Sequence, residues 1–311
     1  MVGWLWLTIV AILCLATEVS AETVAVVSSD SLTSTKRTVS GARSAIKAER
    51  ESVEFIYVQL SASGENITTQ LDSIESAHPD LIMTVGTAAT RVVRERFPTT
   101  PIVFSSVMYP VISGFAKSIE TPGNNMTGAS LDIPVDIQYR YFRQIIPDLK
   151  RIGVLYTGNT APLIEPAQQV AQQMGLELYA VEVTTHKDLP RALDSLCRIV
   201  DGLWSVADQN LFDPQSTKYI LLNSLRQGIP FMGFSRYVVE SGALFALDFD
   251  YKAIGRQAGA LVLKVLDGTP PGQIPVTTPD IIWFHYNEKT ALHVNVNMPS
   301  DLVAIAKEVY R

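Results

Sequence analysis

Short apolar, β-favouring runs alternate with segments of helical periodicity along nearly the whole chain, and that alternation confines the fold more than any single motif. The first series reads Thr23–Val27 as a strand and Lys36–Glu49 as a helix, then Val53–Leu60 and Glu65–Ala77, then Asp80–Val85 and its helix to Phe97, and finally Pro101–Phe104. Strand–helix–strand repeats of this kind specify parallel sheets with helices on both faces. The turn-forming stretch Thr121-Pro-Gly-Asn-Asn125 interrupts the series. A second one follows, with strands at 151–156, 176–183, 202–206 and 229–233 and helices at 134–146, 167–174, 188–200 and 214–227. The last third supplies a strand at Leu244–Leu247, a helix at Tyr251–Leu266, a proline-rich link over Gly268–Pro279 and a strand at Ile281–Phe284, with short helices predicted to the end. It is too small for a further domain. The expectation is an α/β protein of two doubly wound parallel-sheet lobes: residues 22–129 completed by about 248–280, and 130–247, with 281–311 packing back across both.

The most informative single turn follows Asp80-Leu-Ile-Met-Thr-Val-Gly86. Beyond it Ala89, Val92, Val93 and Phe97 share one helical stripe opposite Arg91, Arg94 and Glu95. Alone, this is a plain strand–helix connection with Thr87 as N-cap. In an open α/β sheet the same turn lies at the carboxyl edge, where ligands bind, and exposes free N–H groups.

Residues 1–21 stand apart. Trp4–Ala16 is uninterrupted and apolar, too short for a comfortable membrane span, and small residues follow it up to Ala21. This is the pattern of a cleavable secretory signal, although no Lys or Arg precedes the apolar run; an uncleaved anchor is the alternative. Leu13 before Cys14 argues against lipid attachment. Cleavage would leave Cys197 as the single cysteine, on a helical stripe with Leu193, Leu196 and Val200, so it reads as a small buried hydrophobe. A disulfide framework and a cysteine-based metal site are excluded. Net charge is −6 without a basic run, which leaves no nucleic-acid footprint.

From about Asp80 onward the chain resembles the tryptophan/tyrosine-type substrate-binding proteins of ABC transporters. The matching segments are Asp80–Thr90, Thr100–Phe104, Pro122-Gly-Asn-Asn-Met-Thr-Gly128, Lys150–Tyr156, Gly255-Arg-Gln-Ala-Gly259 and the tail Asn287–Ala291…Met298-Pro299…Ala306–Val309. The resemblance implies a type I periplasmic-binding-protein fold: two lobes joined by a hinge of three crossovers, closing on a small organic ligand, amino-acid-like or aromatic. It further implies export, a monomer, a membrane permease as partner and no cofactor. A binding protein feeding a membrane sensor kinase is the alternative within the same fold.

Under that architecture the strand-end loops form the site. The first lobe offers Ser29, Asp30, Gly86, Thr87, Ala88, Ser105, Ser106 and Tyr109; the second offers Ser130, Thr157, Asn159, Asp208, Asn210, Phe234 and Ser235. Aromatic-amino-acid members resemble Thr-Asp-Pro-Val where this chain has Met108-Tyr109-Pro110-Val111, and an acid follows their Gly-Gly pair where this chain has Gly233-Phe234-Ser235. An ammonium group removed from water needs a carboxylate or several carbonyls. Asp208 and Asp30 remain as counter-charges, while Tyr109 and Phe234 suit stacking on a ring.

A hydrolase is the contrasting reading, and little carries it. Ser44-Ala-Ile-Lys47 fits Ser-x-x-Lys without its companion motifs, and there is no Gly-x-Ser-x-Gly elbow, Walker loop or Gly-x-Gly-x-x-Gly. His78, His186, His285 and His293 are expected in loops or near element ends, with no metal partner at helical spacing. Asp208 and Asp213 could form a carboxylate pair, but Asp213-Pro214 reads more simply as a helix start.

Overall fold

The computed structural model describes residues 21–61 and 65–311, so the predicted signal, apart from Ala21, lies outside the described residues. Five parallel strands form the first sheet in the order β2-β1-β3-β4-β5: β1 (Thr23–Ser28), β2 (Glu54–Gln59), β3 (Leu81–Val85), β4 (Ile102–Val107) and β5 (Met126–Ser130). Helix α1 (Thr33–Glu49) joins β1 to β2, α2 (Ile67–Ser76) joins β2 to β3, and α3 (Thr87–Arg96) joins β3 to β4. Alternation along β1 fixes the layering: Val24 and Val26 enter one core layer, Ala25 and Val27 the layer on the other face.

The second sheet contains β6 (Arg151–Tyr156), β7 (Glu177–Glu182), β8 (Gly202–Trp204), β9 (Phe231–Gly233) and β10 (Phe245–Phe249). Around them run α4 (Val135–Ile145), α5 (Ile164–Gln173), α6 (Leu189–Cys197), α7 (Pro214–Arg226) and α8 (Arg236–Glu240). After β10 the chain returns to the first sheet as α9 (Tyr251–Leu266), which packs along α1 and against β4 and β5. It then re-enters the second sheet as β11 (Ile282–Asn287), α10 (Glu288–His293), α11 (Ser300–Ile305) and β12 (Ala306–Tyr310), giving the order β12-β11-β10-β9-β8-β6-β7. Two core layers again flank the sheet. The two-lobed α/β architecture therefore follows the sequence expectation, with one addition: β11 runs antiparallel to β10.

Four local expectations change. Thr87 is the first residue of α3 and Gly86 its N-cap, with φ 89°, a conformation that glycine adopts without strain. The segment after Ile305 is strand β12, paired parallel with β11, because sheet pairing overrides the helical leaning of Ala306-Lys-Glu. Strand β5 escapes a reading by apolar content, since Met126-Thr-Gly-Ala-Ser130 is mostly small and polar, yet every residue is buried. Its Gly128 is required by close approach: a Cβ there would sit 2.2 Å from the Phe104 carbonyl oxygen. Finally, His285 is mid-strand in β11 and fully buried, its Nδ1 3.4 Å from Glu308, and burial lowers its pKa. Asp213 does cap α7, accepting hydrogen bonds from the amides of Gln215 and Ser216. Cys197 is buried within the second lobe's core, and desolvation pushes its thiol up to about 11.

Candidate ligand site between the lobes

Parallel strands aim their carboxyl ends one way, and every predicted site residue lies at or just after such an end: at β1, β3, β4 and β5 in the first lobe, and at β6, β8 and β9 in the second. Ser130, expected in the second lobe, is instead the last residue of β5, held in the first sheet by its pairing with β4. Many of these side chains are engaged locally. Asp30 caps its own loop, accepting from the Leu32 amide at 3.0 Å and the Thr35 hydroxyl at 2.5 Å. Ser106 pairs with Thr38 of α1 at 3.0 Å, and the Ser130 hydroxyl accepts from the Asp132 amide at 2.9 Å. Ser105 is buried with its hydroxyl unpartnered. Ser29 lies beside Gly86, whose neighbours Thr87 and Ala88 begin α3.

Asp208 is the most heavily committed. Its carboxylate accepts from the hydroxyls of Thr160 (2.6 Å) and Thr157 (2.8 Å) and from the amides of Asn210 (2.9 Å) and Thr157 (3.2 Å). Burial alone would raise its pKa; the Thr160 and Thr157 hydroxyls and the two amides outweigh burial and hold it below the ordinary value. It clamps the loop after β8, which carries Asn210, to the loop after β6, which carries Thr157 and Asn159.

The space shared by both lobes is a cavity of about 340 Å³ on the crossover side. Met108, Tyr109, Leu131, Asp132, Ile133 and Pro134 line it from the first lobe and the crossover beyond β5; Trp204, Ser205, Val206, Met232 and Phe234 line it from the second; Leu247 and Phe249 line it from β10, where the chain leaves for the second crossover, and Thr278 from the third. Tyr109 and Phe234 are the predicted residues that reach it. A larger open groove, about 760 Å³, lies on the outer side of the first lobe between α1 and edge strand β2. Asp30, Ser44 and Lys47 face that groove, and the Lys47 ammonium bonds the Glu51 carbonyl rather than Ser44. Size does not decide between the two; only the smaller space is built from both lobes at strand ends.

Tyr109 spans the gap. The Ala207 amide, in the loop after β8, donates to its phenolic oxygen at 3.1 Å, and burial raises the phenol's pKa. Its own backbone is left-handed at φ 52°, as is Ser106 at φ 55°, a pair of strained positions at the end of β4 and the start of the loop after it. The Tyr109 amide donates to both Asp132 carboxylate oxygens, at 2.9 and 3.0 Å, which steadies that turn. Burial raises the Asp132 carboxyl to about 6, against the opposing pull of the Tyr109 amide and the Ser130 hydroxyl. On the second lobe the Trp204 indole donates to Gln138 at 2.7 Å and meets the buried Tyr139 ring edge-on at 5.3 Å. Phe234 packs against Phe212 at 4.9 Å.

Asp132, Gln138 and Trp204 were not anticipated. Asp132 follows β5, so recognising that strand would have marked its loop as another strand end. Gln138 lies one turn into α4, and Trp204 reads as core until the fold opens a space beside it.

Among solved structures, the chain superposes on a ligand-free, open substrate-binding protein with adhesive properties from Clostridium difficile (TM-score 0.76, 22% identity, covering 93% of this chain and 99% of that one). It also superposes on an ABC domain from Streptococcus pneumonia in complex with L-Trp (TM-score 0.65, 20% identity, 93% and 100% covered). These identities establish the type I periplasmic-binding fold and nothing finer. In sequence it is 28% identical over 235 residues to a tyrosine-binding protein of Clostridioides difficile, covering 74% of this chain and 68% of that one. The model of the ABC transporter substrate binding protein family matches residues 21–310, nearly every described residue: the chain belongs to this family.

Proposed function

We propose that this protein is exported, binds one small organic molecule with an apolar or aromatic body between its lobes, and delivers it to the permease of an ABC uptake system. Binding would close the lobes by hinge motion at the crossovers. The observation that carries this reading is the cavity itself, walled by both lobes and by segments that cross between them, with Tyr109 already reaching the opposite lobe. Its walls are mainly aliphatic and aromatic with a few polar groups, the composition of an organic-ligand site. Catalysis finds no support in the geometry: Ser44 and Lys47 lie in the outer groove and Asp213 is a helix cap. The division into residues 22–129 with about 248–280, and 130–247, is proposed as the pair of moving bodies; the strands within 281–311 join the second sheet.

A thermal-shift panel of amino acids, aromatic amines, aromatic acids, sugars and nucleosides tests the reading. A true ligand at a hundredfold excess over Kd adds about 2.7 kcal/mol of stability by mass action, a rise of several degrees in Tm. Silence across the whole panel, or turnover of an added ester or phosphate that Ser44→Ala abolishes, contradicts it.

A further inference from the structure

The charges around the cavity are one-sided. Among the described residues two carboxylates line it, Asp132 on the crossover beyond β5 and Glu120 at the exposed rim, and no Lys, Arg or His does. Nearby walls are apolar, with Trp204, Met232 and Phe249 among them. A carboxylate in such surroundings is costly to hold charged unless a cation joins it. Asp132 accepts the Tyr109 amide hydrogen, shared between its two oxygens, and the Ser130 hydroxyl also favours its charged form. A carboxylate has about four acceptor positions, so it can still take an ammonium group.

We infer that the ligand of this cavity is a cationic amine with an aromatic or apolar body and no carboxylate, its ammonium held by Asp132. The inference rests on the cavity being the ligand site, as proposed above. A zwitterionic amino acid would bring a carboxylate that meets no cationic side chain there. A positive element at the wall is the start of α4, at Pro134 and Val135. A helix start carries roughly half an elementary charge, less than the two full negative charges it would oppose. The departures at Tyr109 and Phe234 fit the same picture. The acids expected there are missing, and the carboxylate that replaces them comes from a different loop, without a cationic side chain to complement it.

Two isosteric series decide the matter by calorimetric titration at pH 7.5: tryptamine, L-tryptophan, indolepropionate and tryptophol, and phenethylamine with L-phenylalanine, hydrocinnamate and phenethyl alcohol. In at least one series the amine should bind at least tenfold more tightly than the amino acid and the alcohol, with the acid showing no binding. Asp132→Asn keeps an acceptor for the Tyr109 amide and should weaken the amine at least tenfold while leaving the alcohol within twofold. A second readout needs no variant. The titratable group facing Asp132 is Tyr109, with Glu120 elsewhere on the same cavity lining, and as the Asp132 carboxyl, near 6, takes up a proton, the amine's affinity should fall about tenfold at pH 5 while the alcohol's holds. Tighter binding of the amino acid or the acid overturns the amine assignment and leaves the interlobe site standing. An amine affinity indifferent to both Asp132→Asn and pH overturns Asp132 as the counter-charge. Silence of both series overturns the assignment as well, and the broader panel above then judges the site itself.

Discussion

Gly255→Ala should destabilise the protein by about 3 kcal/mol, although alanine is the better helix former by roughly 1 kcal/mol. Residue 255 lies inside α9 where it crosses α1, and a Cβ there would sit 2.0 Å from the Thr38 carbonyl oxygen and 3.0 Å from the Ala42 amide nitrogen. Both obstacles are backbone, so no side chain can rotate away. Relief requires the helices to part, which would loosen the layer holding Ala42, Ile46, Ile254, Ala258 and Val262. Gly41→Ala meets the same obstacle from the other helix, its Cβ 2.1 Å from the Lys252 carbonyl oxygen. Once the pair has separated, the second substitution adds little, so the double variant should fall well short of the sum. Gly158→Ala, with nothing within 4 Å of its Cβ, is the control and should shift the denaturant midpoint negligibly. A midpoint for Gly255→Ala equal to that control would contradict the close helix approach.

The second large effect belongs to Asp208. Asp208→Ala removes the acceptor for two threonine hydroxyls and two amides at one buried point. Leaving buried donors unsatisfied costs about 1–3 kcal/mol each, partly relieved by water entering, so a loss of about 3 kcal/mol is expected. The sign of the pH effect follows from the lowered pKa. Stability from this carboxylate is present above the unfolded value near 3.8 and is lost as pH falls through the lower folded value. Asp208→Asn should therefore lose less than the alanine variant at pH 7 and show a shallower decline below pH 4. Equal stability of wild type and Asp208→Ala at pH 7 would remove the clamp from the account. The sequence reading placed this acid in the ligand site; in the structure its carboxylate joins the loops after β6 and β8.

Period and loop chemistry identify strands when apolar residues dominate, and β1, β3, β4 and β6 are legible in this way. β5 is not, because its burial comes from neighbours pressing on small residues rather than from its own hydrophobicity. With β5 unseen, Asp132 lay in an unremarkable loop. Likewise Gly255-Arg-Gln-Ala-Gly259 carries the family resemblance, yet only the fold shows α1 as the partner those glycines admit. Strand-end position places a residue near a cleft. Which side chains face the space depends on how each loop satisfies its own polar groups, a tertiary matter that spacing alone does not encode.

Hydrogen–deuterium exchange with and without the tightest compound of the panel tests the interlobe site most directly, because protection reports local opening segment by segment. Protection should rise together at 108–110 and 131–135 in the first lobe and its crossover, at 204–207 and 232–234 in the second lobe, and at 247–249 at the end of β10. Protection confined to one lobe, or centred on the groove between α1 and β2, would contradict it.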